Sequence, residues 1–192
     1  MILGITGGTG CGKTTLLNLL AEHGYTLLDC DAIYHKLLKT DKNMLCAIEN
    51  RFPGVVTAGA LDRKKLGSVV FADPAALQDL NKITHSAVKL EVLQILETTK
   101  NAAIDAIGLF EGGLAELCDV TIAVTAPESI RVQRLMARDH ISEDYARSRI
   151  AAQHSNEEFA SLCDYALDNC STEAAFREKC LAFFRDKGII NL

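Results

Sequence analysis

Residues 7–14 read Gly-Gly-Thr-Gly-Cys-Gly-Lys-Thr and match the pattern G-x-x-x-x-G-K-[ST] at every fixed position. An apolar run over 1–6 precedes them and a helical pattern over 13–23 follows, which is the strand–loop–helix context that this pattern requires. Glycines let a backbone wrap closely around phosphates, and a helix N-terminus adds partial positive charge. The stretch therefore predicts a phosphate-binding loop, in which Lys13 reaches the β- and γ-phosphates and the Thr14 hydroxyl ligates Mg²⁺.

We expect nucleotide contacts from this loop and from the first turn of its helix, by Gly8, Gly10, Cys11, Gly12, Lys13, Thr14 and Thr15. The plain alternative is a Gly-rich turn that only begins a helix, but such a turn requires neither the Lys nor the Thr. The Cys11 backbone N–H is expected to serve a phosphate, and modification of its thiol to place bulk in the loop and block ATP. The motif alone does not separate kinases, GTPases and ATPases.

Short apolar runs alternate with helical patterns along the chain, which is typical of an α/β domain with a mainly parallel sheet. The predicted strands cover 1–6, 25–29, 103–110 and 120–125, with a candidate fifth at 164–167. About 70 residues between the second and third strands show helical patterns at 31–39, 42–51, 63–71 and 74–99, which is too long for an ordinary crossover. We therefore expect one domain over 1–192, with a core formed by 1–36 and 101–192 and a helical insertion over 37–100.

The composition is that of a globular protein, with 48% hydrophobic and 23% charged residues. A net charge of −5 argues against nucleic acid as a partner, because nucleic-acid binders are normally basic. The first ten residues have no basic flank and no span of membrane length, so neither a signal peptide nor a membrane segment is expected. Seven cysteines without a C-x-x-C pair favour reduced thiols and a cytoplasmic location, while the oligomeric state stays open.

Two acids, Asp29 and Asp31, close the second predicted strand. The carboxyl ends of parallel strands face the ligand crevice, so these acids are expected beside the phosphate loop. One carboxylate there can take a proton from an attacking hydroxyl, and the other can hold Mg²⁺. The alternative is a helix N-cap, since Asp is favoured at that position. Function is favoured for Asp31, whereas Asp29 fits a Mg²⁺ ligand and a cap equally well.

Five of the chain's nine arginines lie between residues 128 and 149. Arg131, Arg134 and Arg138 are spaced by three and four residues, so their guanidinium groups are expected to share a helix face and converge on an anion. A segment of this kind, here 131–149, can act as a lid over transferred phosphate. The alternative is a solvated helix with local ion pairs.

Several further segments resemble one family, the dephospho-coenzyme A kinases. The opening 4–15 is similar to the family's G-L-T-G-G-I-G-S-G-K-S-T, and Asp29-Cys30-Asp31 with His35 is similar to its D-A-D-x-x-x-H. Matching stretches then follow in family order, at 61–71, 80–85, 109–111, 133–139, 149–153 and 164–169. The resemblance covers nearly the whole chain.

This resemblance implies a three-layer P-loop kinase fold with a five-stranded sheet, a helical substrate-binding insertion and an Arg-bearing lid. It further implies ATP-dependent phosphorylation of the ribose 3′-hydroxyl of dephospho-coenzyme A. Asp31 would be the general base, while Lys13, Mg²⁺ and Arg138 stabilise the transferred phosphoryl group.

On the acceptor side, the resemblance implies His35, His85 and Glu111 as contacts. Packed or surface roles remain open for both histidines, and a structural ion pair remains open for Glu111. Another small-metabolite or nucleoside-monophosphate kinase is the alternative within the same class. A GTPase-like switch is disfavoured, because the only N-K pair, at 81–82, lacks the Asp of the guanine signature.

Overall fold

A five-stranded, fully parallel sheet forms the centre of the molecule, and the computed structural model describes residues 1–190. The strand order is β2-β5-β1-β6-β7. The strands are β1 (Ile2–Thr6), β2 (Thr26–Asp29), β5 (Ala102–Asp105), β6 (Val120–Thr125) and β7 (Tyr165–Asp168). The central strands are apolar on both faces, as expected for parallel strands covered by helices on each side. The predicted fold class is confirmed.

Helices cover both faces of this sheet and make three layers. On one face, α1 (Lys13–Glu22) and α9 (Glu173–Asp186) pack their leucines and phenylalanines on β1 and β6. On the other face, the insertion packs against Leu28 and Ile104. The phosphate loop thus lies where β1 meets α1, at the carboxyl edge of the sheet.

The insertion is mostly helical, as the sequence predicts. It is entered through the end of α2 (Cys30–Thr40) and contains α3 (Lys42–Arg51), α4 (Arg63–Val70) and the long α5 (Pro74–Leu96). An Asp side chain caps the start of each helix: Asp29, Asp41, Asp62 and Asp73. The sequence did not indicate the small hairpin of β3 (Val56–Thr57) and β4 (Ala60–Leu61), which has only two residues in each strand.

The prediction of a strand over 103–110 is wrong in its second half, because β5 ends at Asp105. The amide of Ala106 makes the last bond to β1, at the Ile5 carbonyl, and the chain then turns. Leu109 is apolar because it packs under the insertion, not because it continues the strand. Residues 106–114 therefore form a loop at the carboxyl edge of the sheet.

The Arg-rich segment forms two packed helices, α6 (Glu128–Asp139) and α7 (Glu143–Ala151), which are held together by Val132, Leu135, Ala146 and Ile150. A short helix, α8 (Asn156–Leu162), follows and packs on β6. All seven cysteines are free thiols. Within residues 1–190, no helix has the length and hydropathy needed to cross a bilayer.

Candidate active site

The phosphate loop has the tight backbone that its glycines predict. Gly7 has φ +132° and Gly12 has φ +96°, values in the region that favours glycine. A Cβ at Gly7 would lie 2.2 Å from the Val124 carbonyl oxygen, so this position has no space for a side chain. The Lys13 ammonium folds back over the loop and donates to the Gly7 carbonyl oxygen at 2.7 Å.

A cavity of about 700 Å³ opens on the inner side of this loop. Its walls include loop residues Gly8, Thr9, Gly10, Gly12, Lys13 and Thr14, the acids Asp29, Asp31 and Asp105, and the arginines Arg134, Arg138 and Arg149. The three acids come from the ends of β2 and β5 and from the start of α2, while the arginines come from α6 and α7. Cations and carboxylates thus face one another across one site.

Two predicted nucleotide contacts are not in these walls. The Cys11 side chain is 0% exposed and packs in the apolar cluster beneath the loop, where burial raises the pKa of its thiol. The Cys11 amide donates to the Gly8 carbonyl oxygen at 3.3 Å. The Cys11 amide is thus paired within the loop. Its contact with a phosphate and the loss of ATP binding on thiol modification stay predictions. Thr15 lies one residue deeper in α1, and its amide bonds to Gly12.

Asp105 is a site residue that the sequence analysis missed. It is the register partner of Asp29 in the β2–β5 ladder, and both line the cavity with Lys13. Burial raises the pKa of the Asp105 carboxyl to about 6, Lys13 opposes that rise, and Asp29 and Asp31 add to it. Burial also lowers the pKa of Lys13, against the attraction of Asp105. An acid inside an apolar run was the signal that could have identified Asp105.

The two acids that close β2 are not equivalent. One oxygen of Asp29 accepts the Ala32 amide hydrogen at 2.9 Å and so caps α2. Asp31 lies in the first turn of that helix, is exposed, and lines the cavity. The cap position therefore belongs to Asp29, which leaves the carboxylate of Asp31 free of capping.

The lining residues suit Mg²⁺, which prefers oxygen ligands and is usually held by one or two carboxylates together with substrate phosphates. The exposed Thr14 hydroxyl and the carboxylates of Asp29, Asp31 and Asp105 all line the cavity. Within residues 1–190, no cluster of three or more His, Cys, Asp or Glu side chains is arranged to hold a metal by itself. The donor set thus fits an ion that phosphates help to bind.

The predicted convergence of Arg131, Arg134 and Arg138 is wrong for Arg131, which does not line the cavity. The Arg134 guanidinium donates to the carbonyl oxygens of Gly10 and Cys11, each at 3.3 Å, at the rim of the loop. Arg138 lines the cavity and pairs with the neighbouring Asp139 at 2.7 Å.

Ion pairs organise the rest of the Arg-rich segment. Arg149 also lines the cavity and pairs with Asp139 at 2.6 Å. These two arginines hold the pKa of Asp139 well below its usual range. Arg147 pairs with Glu128 and Glu143, which is the local ion-pair arrangement that the sequence left open.

A second cavity, of about 250 Å³, adjoins the first and is lined mainly by apolar groups of the insertion. The two cavities share Asp31, Ala106 and Ile107 in their walls. His85 lines the second cavity, and its Nδ1 lies 3.3 Å from the Glu111 carbonyl oxygen. Asp31 therefore stands at the junction of a polar cavity and a largely apolar one.

The structure does not bring two of the predicted acceptor contacts into these cavities. His35 is exposed and contacts Tyr34, with ring centroids 5.6 Å apart. The Glu111 carboxylate turns away and lies 2.6 Å from Nε2 of His154, at the α7–α8 junction. Glu111 was expected at a strand end, but the early end of β5 places it in the following loop.

Comparison with known proteins finds relatives that match most of the chain. The family model for dephospho-CoA kinase matches residues 1–174. The dephospho-CoA kinase of Deinococcus radiodurans is 39% identical over 172 residues, which cover 87% of this chain and 83% of that protein. The crystal structure of TT1252 from Thermus thermophilus superposes with a TM-score of 0.82 at 31% identity, over 97% of both chains. The dephospho-CoA kinase from Campylobacter jejuni superposes with a TM-score of 0.67 at 28% identity, over 98% of both.

The site combines a phosphate loop between β1 and α1 with acids at the neighbouring strand ends and arginines across the cavity. This combination defines a P-loop kinase, which transfers phosphate to a hydroxyl group. The matches to relatives extend over nearly the whole length of both partners. The chain belongs to the dephospho-CoA kinase family.

Proposed function

We propose that this chain transfers the γ-phosphate of ATP to the ribose 3′-hydroxyl of dephospho-coenzyme A, giving coenzyme A and ADP. One observation carries the proposal: Asp31 is shared by the cavity of the phosphate loop and by the apolar cavity of the insertion. A phosphoacceptor hydroxyl has to meet the γ-phosphate at such a junction.

The nucleotide occupies the larger cavity, with its phosphates on the loop. Backbone amides of the loop and the N-terminus of α1 present positive dipoles to the phosphates. Lys13 already bends over the loop, 2.7 Å from the Gly7 carbonyl oxygen, so a small movement of Nζ brings it to the β- and γ-phosphates. Arg138 and Arg149 close the opposite wall with further positive charge.

The acceptor approaches from the side of the insertion. The second cavity offers apolar groups from Leu80, Val88 and Leu114 beside the ring of Tyr34, which suits a flat base next to a ribose. His85 is the predicted acceptor contact that this cavity supports. The positions of His35 and Glu111 favour supporting roles outside it.

Transfer then needs positioning, charge stabilisation and one proton acceptor. The Asp31 carboxylate accepts the proton of the attacking 3′-hydroxyl as the new O–P bond forms. Lys13 and Arg138 stabilise the negative charge on the phosphoryl oxygens, and the bond to the ADP oxygen breaks. Coenzyme A and ADP then leave, and Asp31 releases the accepted proton to solvent.

Mg²⁺ is part of this proposal, held by the Thr14 hydroxyl and by the Asp29 carboxylate oxygen that does not cap α2. When bound, the ion neutralises phosphate charge and orients the triphosphate. Removal of divalent cations with excess EDTA should abolish turnover, and added Mg²⁺ should restore it. A cytoplasmic location accords with the seven free thiols and with a biosynthetic role, and is proposed on that basis.

The direct test is a coupled assay of ADP release with several acceptors. Dephospho-coenzyme A should support turnover, whereas AMP, CMP and shikimate should give little, and the product should gain one phosphate at the 3′ position by mass and phosphorus NMR. Preference for AMP, CMP or shikimate would favour the other small-metabolite kinases. A folded, ATP-binding sample without turnover on dephospho-coenzyme A would refute the proposal.

A further inference from the structure

Arg131 lies outside the cavity, on the rear side of the phosphate loop, and is only 3% exposed. Its Nε donates to the Thr9 carbonyl oxygen at 2.9 Å, and its Nη2 donates to Oε1 of Gln153 at 3.3 Å. The same Gln153 oxygen accepts the Thr9 amide hydrogen at 2.8 Å. Arg131 and Gln153 therefore hold both sides of one loop residue in a closed ring of hydrogen bonds.

The loop is one residue thick where Arg131 touches it. Gly8 lines the cavity on one side, and a Cβ at Gly8 would lie 2.1 Å from Arg131 Nη2 on the other. A Cβ at Gly10 would lie 2.9 Å from the Arg131 carbonyl oxygen. The guanidinium is thus separated from the phosphate side of the cavity by a single glycine.

The charge of Arg131 has no acidic partner. Within residues 1–190, no Asp or Glu lies at ion-pair distance from it, whereas Arg138, Arg147 and Arg149 on the same two helices each have at least one acidic partner. A buried charge without a counter-ion is unfavourable, and an anion placed nearby relieves that cost. The cavity in front of Gly8 offers a place for such an anion.

We propose that Arg131 is a positioning residue for the nucleotide: through Thr9 it fixes the loop, and its unpaired charge stabilises the phosphates without touching them. The inference rests on the proposed nucleotide site and adds to it a cation behind the loop. Because the Arg131 side chain is buried, water screens its charge only weakly, so its attraction extends over several ångströms and grows with the number of phosphate charges.

The test compares the affinities of ATP, ADP and AMP for the wild type and for Arg131→Gln, by calorimetry at fixed Mg²⁺ and salt. We expect Arg131→Gln to lose affinity for ATP by about tenfold, to lose less affinity for ADP and to bind AMP almost as the wild type does. Arg131→Lys keeps the charge and should recover most of the preference for ATP. Arg147→Gln, which removes an exposed arginine of α7, is the matched control and should leave all three affinities unchanged.

Gln153→Glu tests the charge while the arginine stays in place. The carboxylate can accept the same two hydrogen bonds, but it gives Arg131 a counter-ion. We expect a higher melting temperature without ligand, since the buried charge becomes paired, together with a weaker preference for ATP over AMP. This variant also provides the test if Arg131→Gln fails to fold.

The outcomes separate this inference from the proposed function. If Arg131→Gln or Gln153→Glu lost affinity equally for ATP, ADP and AMP, the role of the charge would be overturned. It would also be overturned if neither variant lost affinity for any of the three nucleotides. A wild-type protein that binds none of the three nucleotides would instead refute the nucleotide site itself.

Discussion

Asp105 lies directly beside Asp29 in the register of the parallel strands β5 and β2, and both carboxylates share one cavity with Lys13. Three acids and one lysine are therefore concentrated where β2, β5 and the phosphate loop end. Such a concentration is costly in the empty protein, because like charges repel and buried carboxylates lose hydration. A nucleotide with its cation changes that balance, which is why this edge of the sheet suits phosphoryl transfer.

The free-energy cost of grouping these carboxylates can be measured at Asp105. Because the pKa of its carboxyl is raised from 3.8 to about 6, the folded state binds the proton more tightly than the unfolded state does. The free energy of unfolding should therefore fall as pH rises from about 4 to about 6. We expect Asp105→Asn to match the wild type at about pH 4 and to be more stable by about 2–3 kcal/mol at about pH 7, without ligand.

Urea unfolding at a series of pH values measures this difference. Asp144→Asn, which removes an exposed acid of α7, is the control for the loss of one carboxylate. An Asp105→Asn variant less stable than the wild type at pH 7 would contradict the account.

The contact between His154 and Glu111 should make the stability of the fold depend on pH. The hydrogen bond that His154 donates to the Glu111 carboxylate raises the pKa of His154. The contact therefore stabilises the fold below the ordinary pKa of histidine, and this stabilisation is lost as pH rises through the raised value. Glu111→Gln should bring the pKa of His154 down toward its usual value, as followed by NMR of the imidazole. Glu158→Gln, at the longer contact of 3.7 Å, should lower it less. An unchanged pKa in Glu111→Gln would show that this bond is absent in solution.

Asn169 supports the phosphate loop from β7. Its Nδ2 donates to the Cys11 carbonyl oxygen at 2.8 Å, and its Oδ1 accepts from Arg134 at 3.2 Å, in a buried position. Asn169→Ala removes both of these side-chain hydrogen bonds from a buried position and should cost about 1–3 kcal/mol of unfolding free energy, with weaker ATP binding. The control Asn18→Ala removes an exposed amide of α1. Equal effects of the two substitutions would argue against this support.

The thiols should react in the order of their exposure. Cys46 and Cys170 are exposed, whereas Cys11 is buried. A thiol reagent should therefore label Cys46 and Cys170 first in the native protein and leave ATP binding intact. Peptide mapping by mass spectrometry identifies the labelled cysteines. Labelling of Cys11 as fast as that of Cys46 would contradict its burial.

The sequence was sufficient for the features that depend on local chemistry. The loop over 7–14 has the fixed residue spacing of a phosphate-binding loop, and its glycines permit the tight backbone that such a loop needs. Strand β6 has the predicted bounds of Val120–Thr125. Strand ends facing the loop also follow from parallel topology, which is why Asp31 was expected beside Lys13.

Features that depend on packing between distant segments were not predictable in the same way. An apolar run over 103–110 does not reveal that β5 stops beside β1 and that the remainder packs under the insertion. Asp105 lies inside that run and was therefore not predicted as a site residue. Helical spacing placed Arg131 with its neighbours, but the close approach of α6 to the loop turned its side chain toward Thr9 and Gln153.

The central claim is that Asp31, at the junction of the two cavities, accepts the proton of the acceptor hydroxyl. The most direct measurement is the turnover of Asp31→Asn with saturating ATP and dephospho-coenzyme A, beside its affinity for ATP. The account predicts that turnover falls by roughly 10²–10⁴ while ATP affinity stays within about twofold of the wild type. Turnover close to that of the wild type would contradict it.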